Sequence, residues 1–321
     1  MSKYNQIIGV DVSKDTIDLF GEQVGHKKVD NNKKGFKETL KMYGKEVLFV
    51  MESTGSYHHQ FALFLYQQGV EVCVVNPLSV KRFIQMKLCR NKTDKSDAKM
   101  IRLYGEYEQP KLWEPPEYYV EMCMALQGVI SKYLRERTSL KNKLHSLNSK
   151  GIKKGLVIQS LKLSINRITK EVEKLEQEKE RLINENEPEL LTNLQSIPGV
   201  GKKTALLLIS GTSGFKRFEN YRQVIAFVGL SPMEYSSGTS VKKQSRISKT
   251  GNSQIRNHLF LCAFTACDAN PQCKALYTRI IAKGKSKKLA LIAVCNKLIK
   301  QSFAIAKSGI PYDPTYRSIK A

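Results

Sequence analysis

The chain has 321 residues and an ordinary hydrophobic content of 41%, enough for two or three domains with cores of their own. Its 53 Lys and Arg residues against 29 Asp and Glu residues give a formal charge of +24, well beyond what solubility requires. This excess points first to nucleic acid as the partner and second to an anionic membrane surface. The residues from Val241 onward carry +14 of it, with 16 basic and 2 acidic residues.

Membrane, secretion and disulfide signals are not apparent in the sequence. No run of about 18 uncharged apolar residues occurs, and the N-terminus enters a charged strand without the apolar core of a signal peptide. Seven cysteines without CxxC spacing predict neither a disulfide framework nor a zinc site. Cys262, Cys267 and Cys273, near His258, are interpreted as helix-packing residues. We therefore expect a soluble cytoplasmic protein.

The first third of the chain predicts an α/β domain that ends near Trp113. Two strands, QIIGVDVS and DTIDLFGE, are joined by a polar turn and followed by a capped helix that ends in glycine, NNKKGFKETLKMYG. A buried strand, EVLFVMES, a helix, GSYHHQFALFLYQQG, and another strand, VEVCVVNP, come next. A hairpin followed by alternating helices and strands predicts a mixed sheet covered by helices on both faces.

Long helices with few glycines follow, between about residues 116 and 190. Apolar residues recur there at spacings of three and four, interrupted by Lys179: Ile165, Ile168, Val172, Leu175 and Leu182. This seam predicts a helical hairpin or coiled coil that serves as an arm or a dimer contact. An intramolecular spacer is the alternative.

The stretch IPGVGKKTALLLIS predicts a helix-hairpin-helix, in which an apolar turn separates two helices. Glycines on both sides of Val200 let backbone amides approach a phosphate, and the next helix adds the partial positive charge of its N-terminus. We expect Gly199, Gly201, Lys202 and Lys203 to contact a DNA backbone regardless of sequence. The alternative is a simple tight turn between helices. A P-loop is excluded because the first glycine of its motif is missing.

Four acidic residues stand out in this basic chain. Asp11 closes the first strand and Glu52 closes VLFVMES, while Asp94 and Asp97 open a helix, three residues apart and on one face. Carboxylates that converge at one sheet edge repel unless cations neutralise them. Mg²⁺ prefers hard oxygen ligands, and two ions about 4 Å apart can stabilise both oxygens of a phosphoryl transfer. Singly, each acid fits a solvated surface position, or for Asp94 a helix N-cap; together they favour a nuclease-type site.

Five stretches, taken in order, resemble the DEDD transposases of bacterial insertion sequences, the group that includes the pilin-gene invertase and the bridge-RNA-guided recombinases. They are IGVDVSKDTIDL, MESTGSYH, NKTDKSDAKMI, IPGVGKKTALLLIS and GLSPMEYSSGTSVKKQSRISKTGNSQIRNHL. The resemblance implies a RuvC-like, RNase H-type domain over residues 1–115, a coiled-coil arm over 116–190 and a mainly helical transposase domain over 191–321.

The same resemblance assigns residues to roles. The metal-binding tetrad maps onto Asp11, Glu52, Asp94 and Asp97, with two Mg²⁺ ions, or Mn²⁺, as cofactor. A serine nucleophile maps onto Ser237, with Ser236 as the alternative. Nucleic-acid contacts are expected from the hairpin residues above and from five further basic residues: Lys242, Lys243, Arg246, Lys249 and Arg256. Implied partners are donor and target DNA, a guide (bridge) RNA and further copies of the chain, as a dimer or, on DNA, a tetramer.

Other functions remain open at this point. A RuvC-like structure-specific nuclease would use the same acids without rejoining strands. A non-catalytic DNA-binding protein would need only the basic tail and the helix-hairpin-helix. An actin-like ATPase or sugar kinase shares the pattern IIGVDVSKDTIDLF, but no second phosphate loop and no adenosine-binding Gly-Gly element follow. Measurable ATP turnover would favour the kinase, and metal-dependent DNA cleavage or a covalent protein–DNA adduct would eliminate the non-catalytic DNA-binding protein.

Overall fold

Two units make up the chain, residues 1–115 and residues 116–321. The structure, a computed structural model, describes residues 4–53, 55–88, 93–237 and 241–315, with the backbone alone described at 234–237 and 241–245. Cys89, Thr54 and Gly238, which belong to stretches discussed above, lie outside the described residues.

A five-stranded mixed sheet forms the centre of the first unit. Its strands are β1 (Gln6–Val12), β2 (Thr16–Gly21), β3 (Gly25–Asp30), β4 (Val47–Glu52) and β5 (Glu71–Val75). Their order is β3-β2-β1-β4-β5; the first three are antiparallel neighbours, and β1, β4 and β5 are parallel. This is an RNase H-like arrangement, so the predicted fold class is confirmed.

Strand β3 was missing from the sequence prediction, which had a two-stranded hairpin here. The strand lies at the sheet edge, and Val29 is its only buried residue, while Lys27 and Lys28 are exposed. This edge strand has no alternating apolar signal, because Val29 alone is buried and the other side chains of both faces are at least partly in water.

Helices cover both faces of the sheet, as predicted. Helices α1 (Lys33–Tyr43) and α2 (His59–Gln67) cover one face, where Phe36 and Phe61 pack with Ile8, Val10 and Phe49. Helices α3 (Pro77–Met86) and α4 (Asp94–Glu108) cover the other, where Val80 and Ile101 pack with Leu48 and Val50. Strand side chains alternate between these two layers. Asn32 caps α1, and Gly44 ends it, as the sequence predicted.

The second unit is mainly helical, in agreement with the predicted class. Its elements are α5 (Tyr118–Ser149), α6 (Leu156–Asn186), α7 (Pro188–Gln195), α8 (Lys202–Thr212), α9 (Tyr221–Val228), β6 (Pro232–Ser237), β7 (Val241–Ile247), α10 (Ser253–Ala269), α11 (Pro271–Ala282) and α12 (Lys287–Ser308). Helices α5 and α6 share the core of α8, α10 and α12 through Tyr119, Cys123 and Ile183. The independence of residues 116–190 as a domain stays a prediction.

Helices α5 and α6 pack along each other, and the predicted seam lies partly between them. Of the predicted seam residues, Val172 is buried. The nearby Ile183 of α6, outside the predicted seam, is also buried, in the core of the second unit. Lys179, which interrupts the seam in sequence, is also buried, at 4% exposed, and its Nζ donates to Gln127 Oε1 of α5 at 2.7 Å. Burial lowers the pKa of Lys179 to about 8. The intramolecular alternative therefore accounts for part of the seam.

Helix α12 is, within the described part of the chain, the one helix long and apolar enough to cross a membrane by length and composition. Half of its apolar window is buried, and Val294, Leu298 and Ile299 belong to the core of the second unit. Cys262, Cys273 and Cys295 pack in the same core as free thiols. These features describe a core helix and its packing partners.

Candidate active site

Asp11 and Glu52 lie side by side where the neighbouring strands β1 and β4 end, at the carboxyl edge of the sheet. Strands β1 and β4 are parallel and in register through Val10 and Met51, and each acid is one residue beyond that pair. Parallel neighbours end at the same edge, and residues in register share a face. Both acids therefore belong to the face that α4 covers, and both are half-buried.

Helix α4 brings Asp94 and Asp97 to the same edge because two glycines let it lie directly on the sheet. A Cβ at Gly9 of β1 would fall 2.0 Å from the carbonyl oxygen of Ala98 and 2.4 Å from the amide nitrogen of Arg102. A Cβ at Gly105, further along the helix, would fall 2.6 Å from Val50 Cγ2. The helix thus runs antiparallel to β1, and its first turn lies towards Asp11.

The first turn of α4 shows that Asp94 is not the N-cap of the helix, which was the alternative role for this residue. Thr93 is the N-cap: its Oγ1 accepts from the amide of Ser96, and Ser96 Oγ accepts from the amide of Thr93. This reciprocal capping box leaves the Asp94 carboxylate free of a capping role. Asp94 is 69% exposed at the helix N-terminus, where a negative charge is favoured by the helix dipole.

Burial and the other acids raise the pKa of the Asp11 carboxyl group. Its pKa is raised from 3.8 to about 6, first by burial and then by the negative charges of Glu52, Asp97, Asp94 and Asp18, in that order. A carboxylate that loses water and gains like-charged neighbours holds its proton more tightly. The three other members of the predicted tetrad thus act electrostatically on the fourth.

A fifth carboxylate, Asp18, and a lysine belong to this edge and were missed in the sequence. Asp18 is opposite Asp11 across β1 and β2, and Lys28 is opposite Asp18 across β2 and β3. Asp18 is only 4% exposed; it contacts His26 Nε2 at 2.8 Å and Lys28 Nζ at 3.4 Å. Lys28 Nζ also lies 3.7 Å from Asp94 Oδ2. A buried acid inside the strand TIDLF was the available signal, but only the register places it beside Asp11.

The carboxylates fit a divalent cation in donor type and in charge, since hard oxygens and a concentrated negative field are what Mg²⁺ binds. Coordination geometry is not preformed: among the described residues, no three His, Cys, Asp or Glu side chains are grouped closely enough to hold a metal ion. Lys28 supplies one cation to the edge instead. The metal site of Asp11, Glu52, Asp94 and Asp97 therefore stays a prediction, which their oxygen donors fit.

The predicted serine element lies in a two-stranded antiparallel hairpin of the second unit. Ser236 and Ser237 end β6, and their backbones pair with Lys242 and Val241 of β7. Lys243 pairs with Tyr235, and the exposed Arg246 pairs with Met233. The side chains of both serines and both lysines lie outside the described residues. The backbone register thus places Lys242 opposite Ser236 and Lys243 opposite the preceding Tyr235. The sequence alone did not reveal this pairing.

The predicted helix-hairpin-helix residues join α7 to α8. Gly199 has a φ of +100°, and a Cβ there would meet Ala266 of α10 at 2.7 Å, so both backbone and space require glycine. A Cβ at Gly201, the N-cap of α8, would meet open space.

Lys202 and Lys203 do not extend freely from this turn. Lys202 Nζ pairs with Glu180 Oε1, and Lys203 Nζ pairs with Glu176 at 2.9 Å; both acids are on α6. The two other basic residues assigned to nucleic acid differ from each other. Lys249 is exposed with a φ of +56°, whereas Arg256 Nη1 donates to the carbonyl of Val228 at 2.8 Å.

Two transposase family models match the chain. One, a DEDD transposase model of the IS110 group described as Transposase, matches residues 8–148. The other, described as Transposase IS116/IS110/IS902 family, matches residues 191–278. The first range contains the four acids and the second contains the serine element.

Curated relatives match almost end to end. The chain is 30% identical over 322 residues to the pilin gene-inverting protein of Moraxella bovis, covering 95% of this chain and 97% of that protein. The chain belongs to the IS110-family DEDD transposases. It is also 29% identical to the pilin gene-inverting protein of Moraxella lacunata, covering 95% and 97% of the two chains. A transposase for insertion sequence element IS1111A of Coxiella burnetii is 24% identical, with 91% and 87% covered.

We predict that Gly9→Ala disables this transposase by lifting α4 from β1. The added Cβ would clash with backbone atoms of Ala98 and Arg102, which cannot move alone. We expect a loss of about 1–3 kcal/mol in the free energy of unfolding and a loss of DNA recombination. Gly128→Ala is the control, because a Cβ there meets open space. Denaturant titration and a recombination assay check this; wild-type values for Gly9→Ala would contradict the packing.

We predict that the stabilisation contributed by Asp11 in the metal-free transposase is lost as pH rises from about 4 to above 6. The pKa of Asp11 is about 6 in the folded protein against 3.8 ordinarily, so the stabilisation it contributes is complete below pH 4 and lost through pH 6. Asp11→Asn should flatten this part of the unfolding free-energy curve, whereas Asp15→Asn, at an exposed acid, should not. An unchanged curve for Asp11→Asn would show that the crowding of charge is absent.

Proposed function

We propose that this transposase cuts and rejoins DNA strands of an insertion sequence with a carboxylate metal site and a serine nucleophile. Asp11, Glu52, Asp94 and Asp97 would hold two Mg²⁺ ions, or Mn²⁺ in their place. The observation that supports this best is the raised pKa of Asp11, produced by burial and by the charges of the other three acids. Such a concentration of like charge at a functional edge is typical of sites that bind cations.

A bound divalent ion would supply Lewis-acid stabilisation of a phosphodiester. The chain's own residues have other tasks. Helix α4, seated on Gly9, fixes Asp94 and Asp97 relative to Asp11. Lys28 neutralises Asp18 and Asp94 at the outer side of the edge, and so limits the repulsion that the edge must bear before DNA arrives.

Ser237 is the proposed nucleophile, with Ser236 as the alternative. Its Oγ would form a bond to phosphorus while the bond from phosphorus to one deoxyribose oxygen breaks. The serine proton would leave to a base, and the departing oxygen would gain a proton. The phosphoserine link conserves the bond energy, so the reverse attack by a DNA hydroxyl rejoins strands without ATP.

Nucleic-acid binding is proposed for the basic residues around the serine element and the α7–α8 turn. The backbone amides at Gly199 and Gly201 and the side chains of Lys202, Lys203, Lys242, Lys243, Arg246, Lys249 and Arg256 would contact phosphates. The charge of +14 from Val241 onward supports this, since phosphate contacts dominate affinity for DNA. Arg256, whose Nη1 donates to the carbonyl of Val228, would contact a phosphate with its other N–H groups while it holds the backbone before α10.

We propose three kinds of partner for this transposase: DNA, a guide RNA and further copies of the chain. Donor and target DNA are the substrates, a guide (bridge) RNA would select them by base pairing, and copies of the chain would assemble as a dimer, or a tetramer on DNA. The tip of the α5–α6 pair supports self-association, because Leu156 and Leu163 are 81% and 69% exposed. The protein would act in the bacterial cytoplasm, at the nucleoid when bound to DNA. Sequencing of nucleic acid that copurifies with it tests the guide RNA.

The decisive experiment traps the covalent protein–DNA species. Labelled DNA carrying the ends of the element is incubated with the transposase and Mg²⁺, and adducts are resolved on a denaturing gel. Ser237→Ala should eliminate the adduct and recombination while DNA affinity stays unchanged, and Asp97→Asn should slow both by about a hundredfold or more. Asp15→Asn is the charge-matched control. An adduct that survives Ser237→Ala but not Ser236→Ala moves the nucleophile by one residue; full activity of both variants refutes it.

We predict that Glu176 and Glu180 compete with DNA for the two hairpin lysines. Replacing both by Gln frees Lys202 and Lys203, and we expect about threefold to tenfold tighter binding of a mixed-sequence duplex at low salt. The control replaces Glu171 and Glu185 by Gln, which removes the same charge from α6 but leaves the hairpin pairs intact, because those acids pair with Lys174 and Arg181 of α6 itself. Equal gains in both double variants would show that only net charge matters.

A further inference from the structure

Asn31 ties together two loops at the carboxylate edge. Its side-chain Nδ2 lies 2.8 Å from the carbonyl oxygen of Ser13, 3.4 Å from that of Lys14 and 3.3 Å from that of Tyr57. Its backbone amide donates to the carbonyl oxygen of Asp15 at 2.9 Å. One amide side chain therefore holds the β1–β2 turn against the loop between β4 and α2.

These loops leave the strands that carry Asp11 and Glu52. Strand β3 runs in the same direction as β1, because both are antiparallel to β2, so Asn31 also emerges at this edge. Three chain segments thus meet beside the carboxylates, fixed to one another by backbone acceptors. Such fixation is what a binding surface needs if it is to hold a ligand at a defined distance from a reacting group.

Tyr57 belongs to this junction through its backbone carbonyl oxygen, which Asn31 holds. The residue is 47% exposed, and within the described part of the chain its ring has no aromatic, cation–π or hydrogen-bond contact. Two other exposed tyrosines of the same unit are occupied: Tyr66 packs on Trp113, and Tyr107 lies under the ammonium of Lys87 at 4.1 Å. An exposed ring whose backbone is anchored costs little entropy to place against a ligand.

We propose that Tyr57 is a stacking platform for an unpaired nucleobase next to the phosphate that is cut, and that Asn31 positions it. This rests on the proposed function of the four carboxylates. Strands that are exchanged must be unpaired near the break, and every base offers a flat face to an aromatic ring. Stacking of this kind tolerates any sequence, which suits an edge that must accept different donor and target strands.

Binding and crosslinking test the platform directly. A short single-stranded oligodeoxynucleotide containing 5-iodouracil is bound to the full chain with Ca²⁺ in moderate salt and irradiated. We expect the adduct on the peptide that contains Tyr57. Tyr57→Leu should lose the adduct and weaken binding about tenfold, equivalent to about 1.4 kcal/mol, whereas Tyr57→Phe should keep both. Tyr107→Leu is the matched control, because it removes an exposed tyrosine from the other end of α4.

A paired substitution tests the positioning role. Asn31→Asp keeps the shape but replaces the donor by an acceptor facing three carbonyl oxygens, so we expect lower crosslink yield at Tyr57. Asn32→Asp, one residue on, should change nothing, since aspartate caps α1 as well as asparagine does.

Failure of this inference is distinguishable from failure of the carboxylate site. If Tyr57→Leu and Asn31→Asp bind and crosslink like the wild type, the platform is refuted even if Asp97→Asn has lost cleavage. If the platform is correct, the Asp97→Asn variant still forms the adduct at Tyr57. Adding Tyr57→Leu to Asp97→Asn should then weaken binding as it does in the wild type. Circular dichroism of each variant confirms folding. If Tyr57→Leu does not fold, the site of the adduct on the wild-type chain still decides the inference, because an adduct on another peptide refutes the platform.

Discussion

Like charge held at one sheet edge is the constraint around which the N-terminal unit is arranged. Asp11 and Glu52 are placed by parallel strands in register, and Asp18 by the antiparallel partner of β1. Carboxylates so placed repel, and burial of Asp11 increases the cost. The surrounding fold opposes that cost with backbone geometry, through α4 on Gly9, and with polar partners of Asp18, the His26 ring and the Lys28 ammonium.

In the second unit the excess charge is positive. Its basic residues would attract nucleic acid over distance, yet several are engaged inside the protein: Lys202 and Lys203 with acids of α6, and Lys216 with Glu117 and Glu187. Net charge therefore overstates the number of cations that are free for phosphate. The pairs also hold the α7–α8 turn against α6, so a ligand that displaced them would loosen a contact between helices as well as exchange one anion for another.

Sequence patterns predicted most of the sheet and the placement of the two strand-end acids, because buried strands such as VLFVME have a continuous apolar signal and end visibly at a charge. The edge strand β3 was not predicted, since its lysines face water. Asp18 and Lys28 were not predicted because cross-strand register, which no local pattern encodes, makes them neighbours of Asp11 and Asp94. Helix α3 lay in a segment without a clear period. The pairing of Lys202 and Lys203 with acids more than twenty residues earlier is likewise a tertiary fact.

The four acids identify an active transposase only together with Gly9. A motif search scores the acids and ignores the residue between Ile8 and Val10, but the distance from Asp11 to the first turn of α4 depends on that residue having no side chain. Mobile elements accumulate damaged copies. A copy that kept every acid and carried a larger residue at this position would look intact to the search while its carboxylates stood apart, so surveys of active copies gain from reading the glycine together with the acids.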